Sequence, residues 1–222
     1  MITERESTNV HLTTTRRHQR LARRYRREAL ADTIEPLIAA LAAKRDTAED
    51  KAFETQAAYD SVLAADADLD DAVRNLFNAA EQHDRDAQNA ATPALLTLFP
   101  TGGFSDLIDE PLAQEPASVD ALATRLDSLG ATSTLAPHAA KLRTAAQAVR
   151  DALKAQDDAI RIEKSADAEE EIAQGGLRRQ YEANYLSARG QWGKPFAERL
   201  FPRLYPAKEK GAAKAETPAK PV

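Results

Sequence analysis

The chain contains no cysteine, few glycines and few aromatic residues. The absence of cysteine excludes disulfides, thiol catalysis and cysteine-ligated zinc sites. No stretch approaches the roughly 18 consecutive apolar residues that a membrane-spanning helix needs. The first residues, 1–15, also lack the apolar core of a secretory signal. We therefore expect a cytoplasmic protein without a transmembrane segment.

Helix-forming residues dominate the composition. Hydrophobic residues make up 43% of the 222 residues but aromatics only 5%, so alanine supplies much of the apolar share. Alanine is the best helix former because it loses no side-chain entropy in a helix. With only 8 glycines and few β-branched runs, the composition predicts an all-α protein stabilised by long, close helix contacts.

The sequence also contains an internal repeat. The segment TIEP at 33–36 reappears as TLAP at 134–137, and PALLTLFP at 93–100 reappears as PFAERLFP at 195–202. Repetition on this scale indicates duplicated structural units, which we expect to be related by a pseudo-twofold axis. Each repeat would begin with a threonine N-cap followed by a proline in the first helical turn.

The repeat sets the predicted domain organisation. We expect a flexible N-terminal arm, a first helical repeat, a linker with the second helical repeat, and a disordered tail rich in Lys, Ala and Pro. The corresponding ranges are 1–13, 14–103, 104–206 and 207–222.

Each repeat carries one long stretch with helical periodicity, which forms either one helix or a hairpin. Acidic segments at 66–71 and 167–171 are typical of helix starts, and ordinary helices are far shorter than these stretches. They favour antiparallel hairpins that turn near Ala65 and Ser165, with a further kink or break at the glycine pair 175–176. The unbroken stripe of apolar residues favours the alternative, one continuous helix. We therefore predict an antiparallel helical bundle of two tandem hairpins with short flanking helices.

Charge is concentrated in one segment of the chain. Seven arginines and no acid lie between Arg16 and Arg27, so the rest of the chain carries −12 within a net charge of −5. Spacings of four, three and four place Arg16, Arg20, Arg23 and Arg27 on one face of a helix. This face would dock on the acidic remainder of the chain or of a partner subunit. The alternatives are a polyanion such as nucleic acid and an anionic membrane surface.

Aromatic residues cluster near the end of the second repeat. Six of the chain's 12 aromatics lie between residues 181 and 205, and buried aromatics dominate core and interface energies. We expect them to close one end of the bundle. The alternative is a partner-binding patch formed by Trp192, Phe196, Phe201 and Tyr205.

No catalytic or metal-binding pattern is present in the sequence. The spacing Asp66-x-Asp68-x-Asp70 resembles a calcium loop, but Asp71 and Phe77 occupy the positions of its glycine and glutamate. Glu-x-x-His pairs and nucleophile or phosphate-loop motifs are also missing. We therefore expect a non-catalytic scaffold or assembly module without a cofactor. It would act through self-association or contacts with another protein, and the alternative is nucleic-acid binding through residues 16–27.

Overall fold

The computed structural model describes residues 2–3, 5–87, 93–100, 103–130 and 133–201. All regular structure in these ranges is α-helical, which confirms the all-α prediction. The helices are α1 (Thr8–Arg24), α2 (Glu28–Asp86), α3 (Ala94–Leu98), α4 (Ser105–Ile108), α5 (Glu115–Asp127), α6 (Pro137–Trp192) and α7 (Lys194–Leu200). The tail predicted at 207–222 lies outside the described residues.

The two predicted hairpins are wrong, because α2 and α6 are each continuous. Helix α2 passes through Ala65 without a break, and α6 passes through Ser165. The acidic segment continues the helix because Asp70 pairs with Arg74 one turn later at 3.0 Å and Leu69 between the acids is fully buried. Side-chain pairing and burial thus outweigh the preference of aspartate for a helix start.

Other predicted helix ends also differ from the structure. Helix α1 begins at Thr8, so residues 8–13 of the arm predicted at 1–13 are helical. Helix α2 begins at Glu28, which places the predicted N-cap Thr33 and its neighbour Pro36 inside the helix. The glycine pair 175–176 lies within α6 and does not interrupt it. Packing of the following Leu177, which is fully buried, offsets the weak helix propensity of glycine.

The described residues divide into two compact units, and the divisions fall inside the long helices. Unit 1 draws on the described residues within 1–47 and 167–201, and unit 2 on the described residues within 48–166. In unit 1, helix α1 contacts α7, and the core is formed mainly by Leu12, Ile34, Leu41, Leu177, Tyr181 and Leu200. In unit 2, helix α5 contacts α3 and α4, and the core includes Leu69, Leu76, Leu98, Phe99, Leu122 and Leu142.

Candidate functional site

Helix α1 has a buried face and an opposite face of arginines. Its buried residues are His11, Leu12, Thr14, Thr15, His18 and Ala22. Arg16, Arg17, Arg20, Arg23 and Arg24 are exposed. At roughly 100° per residue these five fall within an arc of about 120° that lies opposite the buried side chains. We call them the arginine surface.

The rest of the described chain neutralises little of the arginine surface. Arg23 pairs with Glu35 at 2.8 Å, with both side chains about half exposed. Such an exposed pair contributes about 1 kcal/mol or less. Among the residues that the structure describes, no carboxylate forms an ion pair with Arg16, Arg17, Arg20 or Arg24. The prediction that this segment docks on the chain's own acids therefore applies, within the described residues, to Arg23.

Arg27 does not lie on the arginine surface. Helix α1 ends at Arg24, and the N–H groups of Arg26 and Arg27 donate to the carbonyls of Arg23 and Ala22, as in a Schellman motif. Arg26 occupies the left-handed position of this motif with φ 54°. The spacing argument assumed a helix that continues past Arg27, and no glycine signals the stop. The predicted quartet is therefore divided, with three members on α1 and one beyond its end.

Arg27 instead joins the predicted aromatic residues. Its guanidinium lies 4.2 Å from the ring centroid of Trp192 and 5.4 Å from that of Phe196, at distances typical of cation–π contacts. Phe201 is only 5% exposed and stacks on His18 with ring centroids 4.0 Å apart. The aromatic set thus divides into a buried Phe201 and a half-buried Trp192 and Phe196, while Tyr205 lies outside the described residues.

A buried polar pair, His18 and Asn184, joins helices of unit 1. The Nδ1–H of His18 donates to the carbonyl of Leu200 at 3.1 Å, and Asn184 Nδ2 lies 3.4 Å from His18 Nε2. Burial lowers the pKa of His18 to about 4, against the opposing effect of the Leu200 bond. The ring is therefore neutral at physiological pH. Sequence reasoning missed Asn184, although the position of His18 opposite the arginines was a signal that it is buried.

A cavity of about 520 Å³ lies in unit 1 between the α1–α2 connection and the last turns of α6. Its polar lining consists mainly of Arg26, Arg27, Gln180, Asn184, Ser187 and Gln191. Trp192 and the first residues of α2 complete the wall. No local sequence motif predicts this cavity, because its two walls are formed by segments that are far apart in the sequence.

Unit 2 contains a buried carboxyl group near other acids. Glu115 is 1% exposed. Burial, followed by the charges of Asp66 and Asp70, raises the pKa of Glu115 to about 8. Burial also raises the pKa of Asp70, although Arg74 opposes it. Within the described ranges, no group of three or more histidines and acids could hold a metal ion.

The comparisons with known proteins assign no function to these sites. In the described part of the chain, no helix combines the length and the apolar character needed to cross a membrane. No protein-family model matches the sequence, and neither the curated proteins nor the solved structures contain a match to it.

Proposed function

We propose that the chain is a non-catalytic helical assembly module whose arginine surface docks on an acidic protein surface. The observation that carries this proposal is the set of exposed guanidinium groups of Arg16, Arg17, Arg20 and Arg24, which are unpaired within the described residues. Like charges on one helix face repel each other. A partner that brings carboxylates relieves this repulsion and can form bidentate pairs with the guanidinium forks.

A second copy of the same chain is the first candidate for this partner. Outside residues 16–27 the chain carries −12, so a second copy supplies carboxylates for the arginine surface of the first. Complementary charge of this kind accelerates association and fixes its orientation. Another acidic protein would be recognised by the same chemistry.

Nucleic-acid binding is the second candidate, and the same unpaired arginines favour it. Phosphates would bind these guanidinium groups with release of counterions. Proteins that bind single strands also provide several aromatic rings on which bases stack. Tyr25 is the aromatic residue of this segment, and it packs edge-on against Phe196 with ring centroids 5.6 Å apart. The single ring makes nucleic acid the weaker candidate.

We also propose that the chain is an internal duplication in which each repeat contributes to both units. Buried positions that recur 101 or 102 residues apart support this proposal. These pairs include His18 and Val119, Ala22 and Ala123, Ile34 and Leu135, Leu41 and Leu142, Leu76 and Leu177, Leu98 and Leu200, and Phe99 and Phe201. The packing of α1 with α7 and of α5 with α3 matches a first short helix of one repeat to the last short helix of the other.

The docking proposal is tested by replacing Arg16, Arg17, Arg20 and Arg24 with glutamine. Arg23 is kept because it pairs with Glu35. A control variant removes the same amount of charge from exposed positions of unit 2, by replacing Arg85, Lys154, Arg161 and Lys164 with glutamine. Size-exclusion chromatography with light scattering at low and high salt measures self-association. Fluorescence anisotropy with a random duplex and a random single strand measures nucleic-acid binding.

We expect the wild type and the control to self-associate at low salt and the arginine-surface variant to remain monomeric. Salt-sensitive nucleic-acid binding that the arginine-surface variant loses and the control keeps would instead select the second candidate. Its log–log salt slope should then be several units, about 0.9 for each phosphate neutralised on duplex DNA. A wild-type protein that is monomeric and binds neither nucleic acid at low salt would contradict self-association and nucleic-acid binding alike.

A further inference from the structure

The cavity of unit 1 has the size and rigidity of a small-molecule site. Its volume of about 520 Å³ lies within the range of roughly 300–1,000 Å³ that ligand pockets occupy. The side chain of Asn184 anchors its floor, with Nδ2 donating to the Leu30 carbonyl at 2.9 Å and Oδ1 accepting from Gln180 Nε2 at 2.9 Å and Thr33 Oγ1 at 3.2 Å. Asn184 is 3% exposed. A buried, fully bonded amide holds both walls in one arrangement before any ligand arrives.

One wall of the cavity presents a preorganised guanidinium. Arg27 lines the cavity, and its guanidinium carbon lies 4.2 Å from the ring centroid of Trp192. A guanidinium can make planar, two-point contacts with an oxyanion. The Nε of Arg27 is buried and has no hydrogen-bond partner within the described residues. An unsatisfied buried donor is costly, and only an acceptor that reaches Nε itself would remove that cost.

The connection between α1 and α2 adds a second cation to this wall. Arg26 is the one non-glycine residue with positive φ in the described chain. This left-handed conformation closes the Schellman motif that ends α1, and Arg26 lines the cavity. Glu28 brings the opposing carboxylate. Two guanidinium groups against one carboxylate leave the wall positive.

The opposite wall offers neutral hydrogen-bonding groups. Gln191 Nε2 donates to Ser187 Oγ at 3.1 Å, which leaves the Ser187 hydroxyl hydrogen and the Gln191 carbonyl oxygen for other partners. Gln180 also lines the cavity. These groups suit hydroxyl groups of a ligand body.

We propose that this cavity binds a small phosphate monoester with a hydroxylated body, such as a sugar phosphate. Arg26 and Arg27 hold the phosphate. Its charge of about −2 at neutral pH matches two guanidinium groups better than the single negative charge of a carboxylate ligand does. Ser187, Gln191 and Gln180 contact the hydroxyl groups. This inference does not depend on the arginine surface, since Arg16, Arg17, Arg20 and Arg24 do not line the cavity.

The proposal is tested on the full chain with glucose 6-phosphate, inorganic phosphate and glucose as probes. None of them absorbs near 280 nm, so binding can be followed by the fluorescence of Trp192, the single tryptophan of the chain. We expect saturable binding of glucose 6-phosphate with a Kd of about 1 mM or tighter. Inorganic phosphate should bind more weakly, and glucose should leave the fluorescence unchanged. Calorimetric titration provides an independent measurement of each Kd.

Two variants with the same charge change locate the binding. Arg26→Gln should raise the Kd for glucose 6-phosphate by about tenfold or more, as expected for the loss of a charged hydrogen bond. The control Arg24→Gln, on the arginine surface, should retain the wild-type Kd. Equal effects of the two variants would show unspecific charge attraction and overturn the proposal. Failure of both phosphate compounds to bind at about 10 mM, or equal binding of glucose and glucose 6-phosphate, would also overturn it.

Discussion

Protonation of His18 should destabilise unit 1 in mild acid. The ring is fully buried and its folded-state pKa is about 4, compared with 6.5 for an ordinary histidine. Between these values the unfolded chain binds a proton that the folded chain excludes. The contribution of His18 to stability is therefore complete above pH 6.5 and is lost as the pH falls towards 4. Protonation would also place a second N–H against the amide of Asn184, which lies 3.4 Å from Nε2.

The magnitude follows from the separation of the two pKa values. Each unit of pKa corresponds to about 1.4 kcal/mol, so His18 should remove about 2.5 kcal/mol from the free energy of unfolding between pH 7.5 and pH 4.5. His18→Gln cannot titrate and should lack this loss. The variant will also change stability at neutral pH, because it loses the stacking on Phe201. The informative quantity is therefore the difference in pH dependence between the two proteins.

Urea unfolding followed by Trp192 fluorescence is the appropriate assay, because the single tryptophan belongs to the same unit as His18. Other titrating groups contribute equally to the unfolding free energy of both proteins when they are far from the mutated site, so their contributions cancel in the difference. The same pH dependence in His18→Gln and wild type, or an NMR titration of the His18 ring near pH 6.5, would refute this reasoning.

Two further predictions concern stability. Burial raises the pKa of Glu115 to about 8 in the folded state, compared with 4.5 for an ordinary glutamate. Between these values the folded chain keeps a proton that the unfolded chain releases. The free energy of unfolding should therefore fall as the pH rises from about 4.5 to 8. Glu115→Gln should flatten this slope in urea unfolding followed by circular dichroism, and an unchanged slope would contradict the assignment. Gly176→Ala should raise the unfolding free energy by about 0.5–1 kcal/mol, since the added Cβ would meet no described atom within 4 Å apart from its chain neighbours and the adjacent backbone of α6. Gly193→Ala is its control and should lower the free energy of unfolding, because Gly193 has φ 81°. A higher free energy of unfolding in both variants would refute the explanation by helix propensity.

Helix content could be predicted from the sequence because it depends on local properties. A composition rich in alanine and poor in glycine favours helix whatever the tertiary arrangement. Leu-Phe-Pro occurs in the sequence at 98–100 and again at 200–202, and the two phenylalanines, Phe99 and Phe201, are both buried in the structure. The clustering of arginines also correctly placed Arg16, Arg20 and Arg23 on one helix face. Periodicity of side chains along a helix is sufficient for these conclusions.

The lengths and ends of the helices were decided by tertiary packing. Aspartates at 66–71 favour a helix start, but burial of Leu69 in the core of unit 2 keeps α2 continuous. The stop after Arg24 depends on a left-handed Arg26, for which sequence statistics expect glycine. The cavity and the His18–Asn184 pair join residues more than 150 positions apart. Such contacts leave no periodic signal, because their energy arises only when packing of the long helices brings distant segments together and removes their polar groups from water.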